Sequence, residues 1–85
     1  MMTHEEILKS IQDVLVTEFE CDRAALTENV KLFEDLDLDS IDAVDLIVRL
    51  QNQTKLKVKA EDFKAIRTLG DVVAVIERLM HEQHS

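Results

Sequence analysis

Ser40 is the residue whose surroundings point to chemistry. It stands between Asp39 and Asp42, with Asp45 one turn further on. A serine hydroxyl needs a neighbouring base to become a nucleophile in its own protein, and no histidine lies near it in the chain. His4, His81 and His84 all fall close to the chain ends and read as surface groups. A serine at the start of a helix is commonly a plain capping residue. Its setting tells against that reading alone. A phosphate at this corner would meet the free N–H groups of a first helical turn, yet the ring of carboxylates would oppose it. Such a corner suits a hydroxyl presented to a basic enzyme better than a site for free phosphate.

The other candidates are weaker. Cys21 has no partner at a spacing that would make it a nucleophile, and reads as a half-buried small apolar residue. Asp35, Asp37 and Asp39 alternate as at the start of an EF-hand loop. The sixth loop position is then Ser40 instead of Gly, and the twelfth is Leu46 instead of Glu. No dedicated metal site is expected, only weak divalent-ion binding at Asp35 and Asp39.

Helices must position these residues. Ile7, Ile11, Val14, Leu15 and Phe19 fall on one helical face behind a Thr3–Glu6 capping box, predicting a first helix over about 3–17. Residues 20–38 predict a long ordered loop pinned by Asp22, Asn29, Asp35 and Asp37. A second helix starts at Ser40 with Asp39 as N-cap and Asp42 at its third position. Its inward stripe is read as Val44, Ile47, Val48 and Gln51, with Ile41 and Leu46 beside it. Buried Leu36, Leu38 and Ile41 are expected to hold the Ser40 corner rigid. Residues 56–59 alternate as a short extended link. A short third helix over about 61–66 carries Phe63 and Ile66 inward. Thr68 and Asp71 cap a fourth helix with the face Leu69, Val72, Val73, Ile76, Leu79 and Met80. The tail 81–85 is polar and read as frayed. The pattern predicts an all-α fold, a small four-helix bundle filling residues 1–85 as one domain.

Composition narrows the function. Eighty-five residues leave no room for a second domain. There is no Pro and only one Gly, which speaks against many tight turns. There is no Trp or Tyr, which disfavours a base-stacking nucleic-acid module. The net charge of −8 repels nucleic acid and anionic membranes and steers the chain toward basic protein surfaces. One Cys fits a reducing, cytoplasmic setting, and no apolar run is long enough to span a bilayer. Charge is also uneven. Residues 28–45 hold seven acids and one base, whereas 49–67 hold six bases and two acids. Solvated helix faces explain such runs; so does an acidic docking edge at the second helix.

The run Leu36-Asp37-Leu38-Asp39-Ser40-Ile41-Asp42-Ala43-Val44-Asp45-Leu46 resembles the phosphopantetheine attachment motif of acyl carrier proteins. The upstream Leu32-Phe33-Glu34-Asp35-Leu36 and the downstream Ile66-Arg67-Thr68-Leu69-Gly70-Asp71-Val72-Val73 resemble the family's loop and last-helix start. The likeness covers nearly the whole chain and implies a four-helix carrier domain. It implies that Ser40 receives 4'-phosphopantetheine from coenzyme A through a separate phosphopantetheinyl transferase, and that the arm's thiol holds acyl chains as thioesters. Asp39, Asp42, Asp45 and Ile41 would then dock partner enzymes of ketosynthase, acyltransferase, ketoreductase or dehydratase type. Val44, Ile47, Phe63, Ile66 and Val73 are the candidate lining for an acyl chain, and read equally as ordinary core. The chain would be a monomeric carrier without catalytic residues.

Three departures from the family pattern bear on pathway. Ile41 replaces the commoner Leu. Gln51, Asn52 and Gln53 stand where primary-metabolism carriers are acidic. Arg49, Lys55, Lys57 and Lys59 add positive charge. These features point from general fatty-acid synthesis toward polyketide, polyene or specialised lipid assembly. An aminoacyl or aryl carrier loaded by an adenylating enzyme, and an unmodified acidic adaptor, remain as alternatives.

Overall fold

The computed structural model describes residues 3–83. Helix α1 spans His4–Phe19, α2 spans Ser40–Thr54 and α3 spans Leu69–Gln83. Single 3-10 turns cover Arg23–Ala25 and Ala60–Phe63. No strand occurs among the described residues, only an isolated bridge between Lys31 and Thr68. The class is all-α, as the sequence predicts, with α1 packed against both α2 and α3.

The expected third helix is one 3-10 turn, so the described residues form three α-helices. The backbone bonds of this stretch reach back three residues: Asp62 N–H to Lys59 O (2.9 Å), Lys64 N–H to Glu61 O (3.4 Å) and Ile66 N–H to Phe63 O (3.3 Å). Such bonds are poorly aligned and seldom propagate. Phe63 and Ile66 are nevertheless buried, as expected.

Helix α1 opens on the predicted capping box. Thr3 Oγ1 accepts from Glu6 N–H (3.2 Å) and Glu6 Oε1 accepts from Thr3 N–H (3.0 Å). The helix runs two residues past Thr17, whose hydroxyl donates back to Asp13 O (2.7 Å) within the helix. It stops where Glu20 turns left-handed (φ 56°) and Cys21 N–H closes onto Leu15 O (3.0 Å). The predicted inward face of α3 is buried in full, at Leu69, Val72, Val73, Ile76, Leu79 and Met80. Thr68 Oγ1 caps Asp71 N–H (3.1 Å), while Asp71 Oδ2 accepts from Arg67 and Thr68 N–H (2.9 and 3.0 Å).

The loop between α1 and α2 is an ordered part of the core. Leu26, Val30, Leu32 and Leu38 are buried. Asp22 caps Ala24 N–H (3.1 Å) and Asp35 Oδ2 accepts from Lys31 N–H (2.9 Å). The loop crosses the start of α3 closely, with Gly70 N–H on Glu28 O (2.8 Å). A Cβ at Gly70 would meet that oxygen at 3.0 Å, which explains the single glycine.

His4 ties this assembly together. Its Nε2 lies 2.5 Å from Glu28 Oε1 in the loop, and its Nδ1 lies 2.7 Å from Glu77 Oε1 on α3. Only the imidazolium donates from both nitrogens. The Glu77 and Glu28 carboxylates therefore raise the His4 pKa above its ordinary 6.5. A folded-state pKa raised above the unfolded value stabilises fully below the unfolded pKa. That stability disappears as pH rises through the folded value. His4→Gln is expected to lower the melting temperature in mildly acidic buffer and to have little effect in alkaline buffer. Melts of both proteins across pH check this; an equal deficit at all pH values would assign His4 a packing role only. His81 is exposed, and His84 lies outside the described residues.

Candidate functional site

Ser40 is the first residue of α2 and is exposed. No hydrogen bond engages its hydroxyl among the described residues. The cap beside it is a reciprocal pair: Asp39 Oδ1 accepts from Asp42 N–H (2.9 Å), and Asp42 Oδ2 accepts from Asp39 N–H (3.2 Å). Ser40 itself is thus free of capping duty. The approach to it is shaped by Asp37, which adopts φ 55°, a left-handed conformation that short polar side chains tolerate. Leu38 anchors the corner from beneath, its N–H on Leu32 O (3.2 Å).

Ile41 is not part of that anchor, contrary to the sequence expectation: it is 76% exposed. Leu36 is half-buried. The inward stripe of α2 is likewise corrected. Leu46 and Leu50 are the buried residues and Ile47 is half-buried, while Val44 and Val48 are 59% and 44% exposed. With Ile41 they form an outward apolar stripe. Ser40, Ile41, Val44, Asp45 and Val48 together line a shallow depression of ≈ 490 Å³. Asp39 and Asp45 flank it and are exposed, and Asp42 is half-buried. Asp45 also meets Arg49 Nε at 3.3 Å, and Arg49 reaches Glu18 on α1 at 3.2 Å. Arg49 therefore ties α2 to α1 and adds little free positive charge.

The candidate lining residues separate. Phe63, Ile66 and Val73 lie in the core, Ile47 packs against it, and Val44 faces solvent beside Ser40. Cys21 is half-buried; burial chiefly, and then the Asp42 charge, raise its thiol pKa. Asp35 and Asp39 each use an oxygen on a backbone N–H. No cluster of three His, Cys, Asp or Glu arranged for a metal occurs among the described residues. No helix of the structure is long and apolar enough to cross a membrane. Sequence reasoning missed the outward direction of Val44 and Val48. The surplus of apolar residues on α2 was the signal, since one buried stripe does not use them all.

A family model described as "Phosphopantetheine attachment site" matches residues 9–76, most of the chain and inclusive of Ser40. The chain belongs to the phosphopantetheine-binding acyl carrier proteins. "Acyl carrier protein 2" of Ralstonia nicotianae is 47% identical, over 93% of this chain and 98% of its own. The "Meromycolate extension acyl carrier protein" of Mycobacterium tuberculosis is 32% identical, over 95% of this chain and 70% of its own. The crystal structure of the Thermotoga maritima acyl carrier protein superposes with a TM-score of 0.82. It covers 94% of this chain and 93% of the other at 20% identity, a likeness of fold. An acyl carrier is not an enzyme, and the group it bears is phosphopantetheine. The corner fits that group: an exposed, unengaged hydroxyl sits at a helix N-terminus, whose dipole offsets part of the repulsion that Asp39 and Asp42 exert on a phosphodiester.

Proposed function

We propose that this chain is a cytoplasmic carrier of acyl chains in fatty-acid, polyketide, polyene or specialised lipid synthesis, with Ser40 as its attachment site and α2 as its docking surface. The observation that carries the site is the free, exposed Ser40 hydroxyl at the capped start of α2. Phosphopantetheinyl transferase joins Ser40 Oγ to the phosphate of the arm. The pyrophosphate bond of coenzyme A would break, adenosine 3',5'-bisphosphate would leave, and the serine proton would pass to a base of that enzyme. When bound, the arm supplies a thiol that holds an acyl chain as a thioester. The chain's own residues present the hydroxyl: Asp39 and Asp42 hold the cap, and Leu38 fixes the corner. Support for a specialised pathway is the polar end of α2 at Gln51, Asn52 and Gln53. Intact mass after incubation with coenzyme A, magnesium and a broad-specificity transferase tests the reading. One arm per chain is expected; no gain in mass would favour the unmodified adaptor.

Docking joins charge to apolar area. Asp39, Asp42 and Asp45 steer a basic partner, and Ile41, Val44 and Val48 give it a surface to bury. Asp42→Lys and Asp45→Lys test this, the second with less disturbance of the cap, which Asp42 also serves. Each reversal is expected to lower transferase kcat/KM about three- to fivefold, mainly through KM, with the difference fading in high salt. Unchanged kinetics for both variants would remove α2 acids from docking and leave the attachment site standing.

A further inference from the structure

One basic groove stands apart from the acidic edge of α2. Lys31, Phe33 and Glu34 of the long loop face Lys64, Ile66 and Arg67 across a groove of ≈ 320 Å³. Three cations and one carboxylate make its lining positive in a chain of net charge −8. The two rims are joined by backbone: Leu32 N–H to Arg67 O (2.9 Å), and Leu69 N–H to Val30 O (3.0 Å). The groove is therefore preformed, which lowers the ordering cost of binding.

Two of its three cations form no ion pair among the described residues, although the Arg67 charge is near enough to help hold the Asp71 carboxyl ionised. Arg23, Arg49 and Arg78 each reach a carboxylate, at 2.6, 3.2 and 2.8 Å. Lys64 and Arg67 form no ion pair among the described residues. Lys31 meets only Glu34, at 3.3 Å between exposed groups, a weak contact. Phe33 is 41% exposed between them, and Ile66 backs the groove.

We propose that this groove docks an acidic, apolar-tipped peptide segment of a partner protein. Charge complementarity favours carboxylates, which an arginine fork pairs in two-point fashion. Phe33 offers an aromatic anchor of the kind that dominates interface energies. At net −8 the chain repels an acidic partner at a distance. The groove therefore works at contact range, where its local positive lining outweighs the net charge. A free small anion has no apolar tip to set against Phe33. The inference needs no arm on Ser40.

The test uses the unmodified, 15N-labelled chain and three probes: a short peptide of alternating Glu and Leu, its Lys–Leu counterpart, and inorganic phosphate. The Glu–Leu peptide is expected to shift the amides of residues 31–34 and 64–67. Lys64→Glu with Arg67→Glu should weaken that binding at least ~10-fold, as should high salt. Both side chains are on exposed residues, and the paired alanine variant serves if the reversal disturbs folding. Phe33→Ala should weaken it as well. An equal response to phosphate, to the Lys–Leu peptide, or to concentration alone overturns the proposal in favour of an anion site, nonspecific contact or self-association. Shifts centred elsewhere overturn it outright.

Discussion

Ser40→Ala is expected to acquire no phosphopantetheine while folding as the wild type does. Under the proposed attachment the loss is complete, because the hydroxyl oxygen is the atom that would join the arm. Stability is spared because the capping box belongs to Asp39 and Asp42, which keep both of their bonds. Ser40 is exposed, and alanine is the better helix former. The change should stay within about 0.5 kcal/mol, roughly 2–4 °C in a domain of this size. Intact mass and thermal melts read the two halves separately. If the variant still gains the arm, the assignment to Ser40 is wrong. Ser10, half-buried on α1, would be the next residue to change, and Ser85 lies outside the described residues.

Much of this was legible because local chemistry and tertiary demand agree. Helix α3 shows one apolar face and one capping box, so its six buried residues could be read straight from the spacing. The Thr3–Glu6 box, and Asp39 as N-cap with Asp42 at the third position, are four-residue signals that need no distant partner. Helix α2 is different. Ile41, Val44 and Val48 make one apolar stripe, and Leu46 and Leu50 make another. Periodicity alone cannot choose between two stripes, and only the docking of α2 on α1 selects the second. The third helix failed for a related reason: Phe63 and Ile66 have helical spacing, but a three-residue bonding pattern buries them equally well. Of the basic groove only Lys64 and Arg67 were visible, inside the basic run 49–67, while Lys31 stood in the acidic run before it. Lys31 and Arg67 are far apart in sequence, and the Leu32–Arg67 backbone bond is what makes them neighbours.

The rotation of α2 carries the second large expected effect. Leu50→Ala and Leu46→Ala are each expected to cost about 2–5 kcal/mol, because both side chains are almost fully enclosed and leave a cavity when cut back. That is a large share of the roughly 5–15 kcal/mol that holds a typical domain together. Val44→Ala and Val48→Ala remove methyls that water already reaches, so each should cost no more than about 0.5 kcal/mol. Denaturant midpoints of the four variants rank them. The opposite ranking would mean that α2 turns its Val44–Val48 face inward. The same variants separate stability from docking. With the structure's rotation, Val44→Ala and Val48→Ala should weaken capture of the transferase while leaving the fold intact. Leu46→Ala and Leu50→Ala should loosen the fold and leave the outward stripe unchanged on the molecules that remain folded. An apolar stripe kept exposed beside Ser40, on a helix already supplied with a buried one, is difficult to explain by folding alone. Contact with a partner surface accounts for both its exposure and its position.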